Sequence, residues 1–177
     1  MNITDEYVNT HIRSMRFKLI SLASKILKRA YSHDSSKLKE PEYTLWCKMD
    51  KEPRYKYGTK EYEDKVKRYK KVFDLHYKAN SHHPEHYGEL GIDGMDLIDL
   101  IEMTADWISY KKQITVEEAI QAVERQSKRY LLTDQLQSIL KNTIINHFST
   151  LTMYENYKEK QEIERAKKDL HVIDIKI

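Results

Sequence analysis

The scarcity of turn-forming residues is the strongest constraint that this sequence places on its fold. Only 4 glycines and 3 prolines occur in 177 residues. The short strands of a sheet protein are separated by turns rich in these residues, so an all-β fold is improbable. Apolar residues recur at alternating steps of three and four over residues 5–31, which predicts a long amphipathic helix with a buried seam. The seam consists of Val8, Ile12, Met15, Leu19, Leu22, Ile26 and Ala30.

Helix start signals place the remaining elements and lead us to predict an all-α, single-domain helical bundle. Thr115 and Glu118 form a capping box, and Thr133 with Asp134 caps the helix that follows. The other predicted elements are a second helix that begins near Ser35 and continues through Pro41 or restarts after it, a surface loop over 48–58, a helix over 59–79, an irregular segment over 80–94 and a helix over 95–110. The two capped helices are expected to extend to about residues 131 and 150.

Residues 151–177 are expected to form a C-terminal extension of a domain that covers residues 1–150. The stretch 154–169 is charged and helix-prone, whereas residues 171–177 alternate polar and apolar side chains. Such a tail suits a short strand or a docking segment, and it is the candidate surface for homo-oligomer formation.

Composition excludes several classes of function. A net charge of +3 is distributed in clusters of mixed sign, which gives no strong nucleic-acid signal. The apolar runs are far shorter than the ~20 residues that cross a bilayer, so we expect no membrane partner. The acidic N-terminus lacks a signal region, and a cytoplasmic location is the default expectation. Cys47 is the only cysteine, which excludes an internal disulfide and a cysteine-based zinc cluster.

The histidines are the feature that points to chemistry, because six of the eight lie between His11 and His86. His33 and Asp34 are adjacent at a helix junction, where an imidazole nitrogen and a carboxylate oxygen can converge on one cation. With His11 from an earlier helix and Asp106 from a later one, they make a two-nitrogen, two-oxygen donor set. Such a set suits Mn, Fe, Mg, Ni or Zn.

An acidic stripe accompanies these residues on the helix over 95–110. Asp99, Glu102 and Asp106 follow one another at spacings of three and four, which places them on one helix face. Carboxylates on an otherwise apolar helix need a cationic partner. Glu102, one turn before Asp106, would suit a carboxylate that orients a ligating imidazole.

The segment from Ala30 to Leu38 resembles the signature of the HD-domain superfamily of metal-dependent phosphohydrolases. In that superfamily hydrophobic residues precede His-Asp and a lysine follows three positions after the Asp, as His33, Asp34 and Lys37 do here. His11 and Asp106 match the first and last metal ligands in order. The pair His82-His83 is similar to the paired histidines of members that hold two metals and cleave cyclic dinucleotides.

Residues 8–145 more closely resemble a family of uncharacterised, largely phage-encoded proteins. The shared motifs are His-Asp-x-Ser-Lys, Tyr57-Gly58 with Glu61-Tyr62, Asn80-x-His82-His83-Pro84-Glu85-His86, and Leu100-Ile101-Glu102-Met103 ending in Asp106-Trp107. This resemblance implies expression in a bacterial host cell, and it carries no known activity.

The HD-type resemblance implies a phosphohydrolase that cleaves a phosphoester of a nucleotide or cyclic nucleotide with one or two divalent cations. Asp34 would bridge the cations and Lys37 would stabilise charge on the phosphoryl oxygens. The expected metal ligands are His11, His33, Asp34 and Asp106, joined by His76 and by His82 or His83, with the other loop histidine near the substrate. The candidate substrate-binding residues are Arg13, Arg29, Lys78 and Tyr87, and the candidate ligand-orienting carboxylates are Glu102 and Glu85.

Two alternatives remain open at this point. The same ligand order can hold redox-active iron, which would make the protein a di-iron oxygenase. A non-catalytic protein that binds a nucleotide or a host factor is the other alternative, with the C-terminal helix and tail as its interaction surface. The lysine beside the metal ligands favours hydrolysis.

Overall fold

The structure, a computed structural model, describes residues 3–111 and 114–148 and confirms the all-α prediction. Every regular element in this part of the chain is helical. The α-helices are α1 (Ile3–Ser32), α2 (Glu42–Asp50), α3 (Lys60–Arg68), α4 (Lys70–Ala79), α5 (Leu97–Ile108), α6 (Val116–Tyr130) and α7 (Asp134–Thr143). Tight 3-10 turns occupy Ser35–Leu38 and Pro84–Gly94, and a π-helical turn occupies Ile144–Phe148. Of the helices described, none combines the length and apolar character that a membrane span requires.

The chain separates into two compact units. The first comprises residues up to Leu27 together with those from Thr104 onward, and the second comprises Lys28–Met103. The predicted helix over 154–169 and the tail 171–177 lie outside the described residues, so the domain boundary near residue 150 stays a prediction.

In the first unit, local capping signals set the helix boundaries as predicted. The Thr115 hydroxyl accepts a hydrogen bond from the Glu118 backbone at 3.2 Å, and Glu118 accepts one from the Thr115 backbone at 3.1 Å. α6 ends at Tyr130, and the next residue, Leu131, adopts a left-handed conformation with φ 54°. The buried apolar side chains of α6, α7 and the π-helical turn include Ala119, Ala122, Val123, Leu140 and Ile144.

The prediction that the apolar seam of α1 is buried is wrong. Val8 is 46% exposed, Met15 44% and Leu19 60%. Periodicity determines which side chains share a helix face, but burial also needs a partner surface.

The helix predicted over 59–79 is interrupted at Tyr69, where α3 ends and α4 begins. The Tyr69 hydroxyl donates a hydrogen bond to Glu52 at 2.8 Å, and the buried Lys65 ammonium donates to the Glu52 and Pro53 carbonyls. These hydrogen bonds connect the end of α3 to the segment that follows α2. Because they span 12 to 17 residues of sequence, local helix signals do not reveal them.

The second unit buries an unusual set of polar side chains. Glu42, Lys65, His76, His82 and Asp99 are each at most 7% exposed. Buried ionisable groups are unfavourable unless they are paired, hydrogen-bonded or bound to a metal, and they concentrate at functional sites. The arrangement of these groups therefore identifies where chemistry can occur.

Candidate metal centre

Four side chains of the second unit converge on one point. Asp34, His76, His82 and His83 each present one donor atom, and these four atoms lie within 4.8 Å of one another. We call these residues the four-donor cluster. His76 lies in the last turn of α4, His82 and His83 follow in the next loop, and Asp34 follows α1. A helix end and the loop after it thus supply three donors from a span of eight residues.

Three of the distances within the four-donor cluster lie close to those between ligands of one cation. Asp34 Oδ1 lies 3.2 Å from His76 Nε2 and 3.6 Å from His82 Nε2. His83 Nε2 lies 2.9 Å from His76 Nε2. Two nitrogen ligands bound about 2.1 Å from a divalent cation lie roughly 3.0–3.4 Å apart.

Two atoms of the four-donor cluster are buried without a hydrogen-bond partner among the described residues. These atoms are Asp34 Oδ1 and His82 Nε2. Because buried polar groups are nearly always satisfied, such atoms call for a ligand. Three imidazole nitrogens and one carboxylate oxygen fit a divalent transition metal such as Mn, Fe, Ni or Zn.

Glu42 fixes the orientation of the His76 ring. His76 Nδ1 donates a hydrogen bond to Glu42 Oε1 at 2.8 Å, and the Trp46 indole donates to the same oxygen at 2.8 Å. This arrangement directs His76 Nε2 towards Asp34. Glu42 could not be recognised from the sequence, because an acid in the first turn of a helix is ordinary. Its only local signal is the spacing of four to Trp46.

Glu102 orients two other imidazole rings, those of His33 and His82. His33 Nδ1 donates to Glu102 Oε1 at 2.8 Å, and His82 Nδ1 lies 3.2 Å from the same oxygen. The Arg29 guanidinium is bonded to the other oxygen. Burial by itself raises the pKa of Glu102, but the hydrogen bonds from His33, His82 and Arg29 outweigh burial and hold the pKa well below its usual range.

Asp34 adopts a strained backbone conformation. Its φ of 53° and ψ of 15° are left-handed, a region that Asp and Asn tolerate better than most residues. The second carboxylate oxygen, Oδ2, accepts from Lys37 at 2.5 Å, and the Lys37 ammonium lies 5.1 Å from the centre of the Trp46 ring. Burial raises the pKa of Asp34, but the facing His76 ring and Lys37 outweigh it and hold this pKa far below its usual range.

The acidic stripe of α5 has the cationic partner that it requires. Arg29 bonds Asp99 at 2.7 Å as well as Glu102. Tyr87 donates to the other oxygen of Asp99 at 2.6 Å, and burial together with this bond raises the pKa of Tyr87 to about 12. Hydrogen bonds from Tyr87 and Ser81 outweigh burial and lower the pKa of Asp99. The charge of Arg29 is therefore already offset, and its role in gripping phosphate stays a prediction.

A polar cleft of about 370 Å³ adjoins the four-donor cluster through His82. Most of its lining side chains carry hydroxyl, amide or charged groups. The lining residues are Arg29, Ser32, Ser35, Ser36, Lys39, Ala79, Asn80, Ser81, His82 and Glu102. We call it the serine cleft. Lys39 and the serines were not singled out from the sequence, since surface lysines and serines carry no distinctive pattern.

Two candidate residues of the second unit lie at a different cleft, of about 360 Å³. Lys78 and Glu85 line it together with Asp74, Tyr77 and His86. His86 Nδ1 donates a hydrogen bond to the Tyr77 carbonyl at 2.8 Å. The structure therefore does not bring Lys78 to the serine cleft, and the roles predicted for Lys78 and Glu85 stay predictions.

The remaining predicted residues are distributed as follows. His33 is about one third exposed, and its Nε2 lies 3.6 Å from Asp34 Oδ2. His11 and Arg13 are exposed on α1 in the first unit, and Asp106 is half-buried on α5, one turn after Glu102. The predicted ligand roles of His11, His33 and Asp106 stay predictions. The second unit by itself provides Asp34, His76, His82 and His83.

Comparison with known proteins identifies a family and no activity. No curated protein and no solved structure matches this chain. Residues 2–146 match the family of unknown function DUF5662, and these residues include the whole four-donor cluster. The chain belongs to the DUF5662 family.

Proposed function

We propose that the protein is a metal-dependent phosphohydrolase that cleaves a phosphoester of a nucleotide or cyclic nucleotide. The observation that carries the proposal is the convergence of Asp34 Oδ1 with the Nε2 atoms of His76, His82 and His83 beside a hydroxyl-lined cleft. A divalent cation held by these donors would supply a water of lowered pKa and would offset charge on phosphoryl oxygens.

The carboxylates behind the cluster prepare the donors for a cation. Glu42 and Glu102 accept the Nδ1 protons of His76 and His82, so the Nε2 atoms of both rings face inward. Lys37 holds Asp34 through Oδ2 and leaves Oδ1 as the donor. Because the pKa of Asp34 is lowered, the carboxylate is ionised at neutral pH and ready to bind a cation.

The surroundings of the cluster support hydrolysis of an anionic substrate. Lys37 is more than one third exposed beside Asp34, and Lys39 lines the serine cleft. Ammonium and hydroxyl donors near a metal centre can stabilise the charge that develops on a phosphoryl group. No comparable observation in the described residues favours oxygen chemistry.

The first test is metal content together with product formation. Wild-type protein and Asp34→Asn would be purified without chelator or metal-binding tag and analysed by elemental mass spectrometry. Asparagine keeps the tolerance for the left-handed backbone, so the variant removes the charge while preserving the turn. We expect the wild type to hold metal and the variant to lose it.

The same proteins would then be supplied with Mn, Fe, Mg, Ni or Zn and a panel of nucleotides and cyclic nucleotides, with products resolved by chromatography. His86→Gln is the matched control, because His86 lies in the same loop and donates to a backbone carbonyl instead of joining the cluster. We expect the wild type and His86→Gln to form product and Asp34→Asn to form little. Bound iron with oxygen consumption and no phosphoester cleavage would replace the hydrolase with an oxygenase. A wild-type protein that is inactive with every metal would overturn the proposal.

A further inference from the structure

The serine cleft is chemically unlike a site for an aromatic base. Among its described lining residues Ala79 is the one apolar side chain and Phe, Tyr and Trp are absent, while the His82 ring is only 1% exposed and presents no face for stacking. Proteins that bind nucleobases use aromatic or apolar walls, because each base presents a flat face that stacks. The serine cleft therefore lacks the surface that a base requires.

Two aromatic side chains of the second unit, Tyr87 and Trp46, are already engaged in other contacts. The Tyr87 hydroxyl donates to Asp99, and the Tyr87 ring abuts Gly94, where an added Cβ would lie 2.7 Å from ring atoms. The Trp46 indole donates to Glu42, and Lys37 covers its face. This packing gives no support for a substrate-binding role of Tyr87 through stacking on a base.

The polar groups of the serine cleft suit a sugar and a phosphate. Ser36 accepts a hydrogen bond from Asn80 at 2.8 Å, which leaves its hydroxyl proton to donate. Ser81 donates to Asp99 at 2.7 Å, which leaves its oxygen to accept. Lys39 adds an ammonium. Sugar hydroxyls both donate and accept, whereas phosphate oxygens accept only, so this mixture matches both.

The size of the serine cleft agrees with a small occupant. Its volume of about 370 Å³ is near the lower end of the roughly 300–1,000 Å³ typical of small-molecule sites. We propose that the serine cleft binds the sugar-phosphate part of the substrate and leaves the base outside, so that a base-free sugar phosphate is turned over by the same site. This inference rests on the proposed phosphohydrolase function.

The test compares ribose 5-phosphate with adenosine and cytidine 5′-monophosphates on the metal-loaded wild-type protein. Stacking of a base on an aromatic side chain increases binding affinity roughly 5- to 150-fold. If the base lies outside the cleft, kcat/KM for the three compounds should agree within about threefold, below the smallest effect expected of stacking. If both nucleotides are turned over and kcat/KM for ribose 5-phosphate is about 30-fold lower, this inference alone is overturned. Absence of product from all three compounds, and from the wider nucleotide panel, would overturn the phosphohydrolase function and this inference with it.

A second measurement tests whether the cleft itself is the binding surface. Lys39→Gln should raise KM for ribose 5-phosphate and for adenosine 5′-monophosphate by the same factor, because both would present the same sugar-phosphate to Lys39. Lys71→Gln is the matched control, since Lys71 is exposed on α4 and does not line the serine cleft. An increase in KM confined to the nucleotide, or none for either compound, would contradict the assignment.

Discussion

Replacement of Glu42 by glutamine tests the hydrogen bond that orients His76. Glu42 is 4% exposed, and its Oε1 accepts from both His76 and Trp46. A hydrogen bond to a charged group contributes about 1.5–3 kcal/mol and one between neutral groups about 0.5–1.5 kcal/mol. Glutamine keeps an oxygen acceptor but loses the charge, so the His76 bond weakens by about 1–1.5 kcal/mol, which is roughly a tenfold loss of metal affinity.

Metal affinity would be measured by competition with a chelator of known affinity, using Mn or Zn alone. Trp46 donates to Glu42 and lies edge-on to the His76 ring, with the ring centres 5.9 Å apart, so tryptophan fluorescence gives a second readout of binding. Glu40→Gln is the matched control, because exposed Glu40 accepts from Thr44 in the same segment and does not contact His76 in the part of the chain that the structure describes. If Glu42→Gln binds metal as tightly as the wild type while its helicity and melting are unchanged, Glu42 does not orient a ligand.

Three further predictions concern stability and are checked by urea unfolding. Thr115→Ala removes one half of the capping box with Glu118 and should lower the free energy of unfolding by about 1 kcal/mol; an unchanged value would show that α6 does not depend on its cap. Leu131→Gly should raise it by up to about 1 kcal/mol, because Leu131 is 87% exposed and left-handed, a conformation that glycine adopts without strain; a lower value would refute this. Burial and the bond to Asp99 raise the pKa of Tyr87 to about 12. The contribution of the Tyr87 hydroxyl to the free energy of unfolding is therefore complete below pH 10 and is lost as the pH rises through 12. The wild type should therefore lose more stability than Tyr87→Phe between pH 9 and pH 12, and equal losses would contradict the shifted pKa.

The features predicted well from sequence are those that depend on neighbouring residues. The capping box of Thr115 and Glu118 requires only four consecutive residues, and the structure contains it. The irregular segment around Gly88 and Gly91 also follows from local composition, and both glycines have positive φ. Signals of this kind act within one helical turn or one loop.

The features that were missed depend on contacts between distant parts of the chain. Glu42 meets His76 across 34 residues, and Arg29 meets Asp99 across 70. The motif residues His33 and Asp34 could be recognised, but the sequence could not specify that His33 faces Glu102 while Asp34 faces the other histidines. A local pattern identifies chemically competent residues, and tertiary packing determines which of them meet.

The unpaired buried atoms of Asp34 and His82 also bear on how this chain can change under selection. Leaving such a buried polar atom without a partner costs about 1–3 kcal/mol. Random variants chosen only for heat resistance should therefore accumulate replacements at His82 that keep a donor to Glu102 but lack the inward-facing nitrogen, whereas variants chosen for metal-dependent activity should retain His82. Selection for thermal stability and selection for function thus favour different residues at position 82. Variants selected for stability alone would lose one donor of the four-donor cluster.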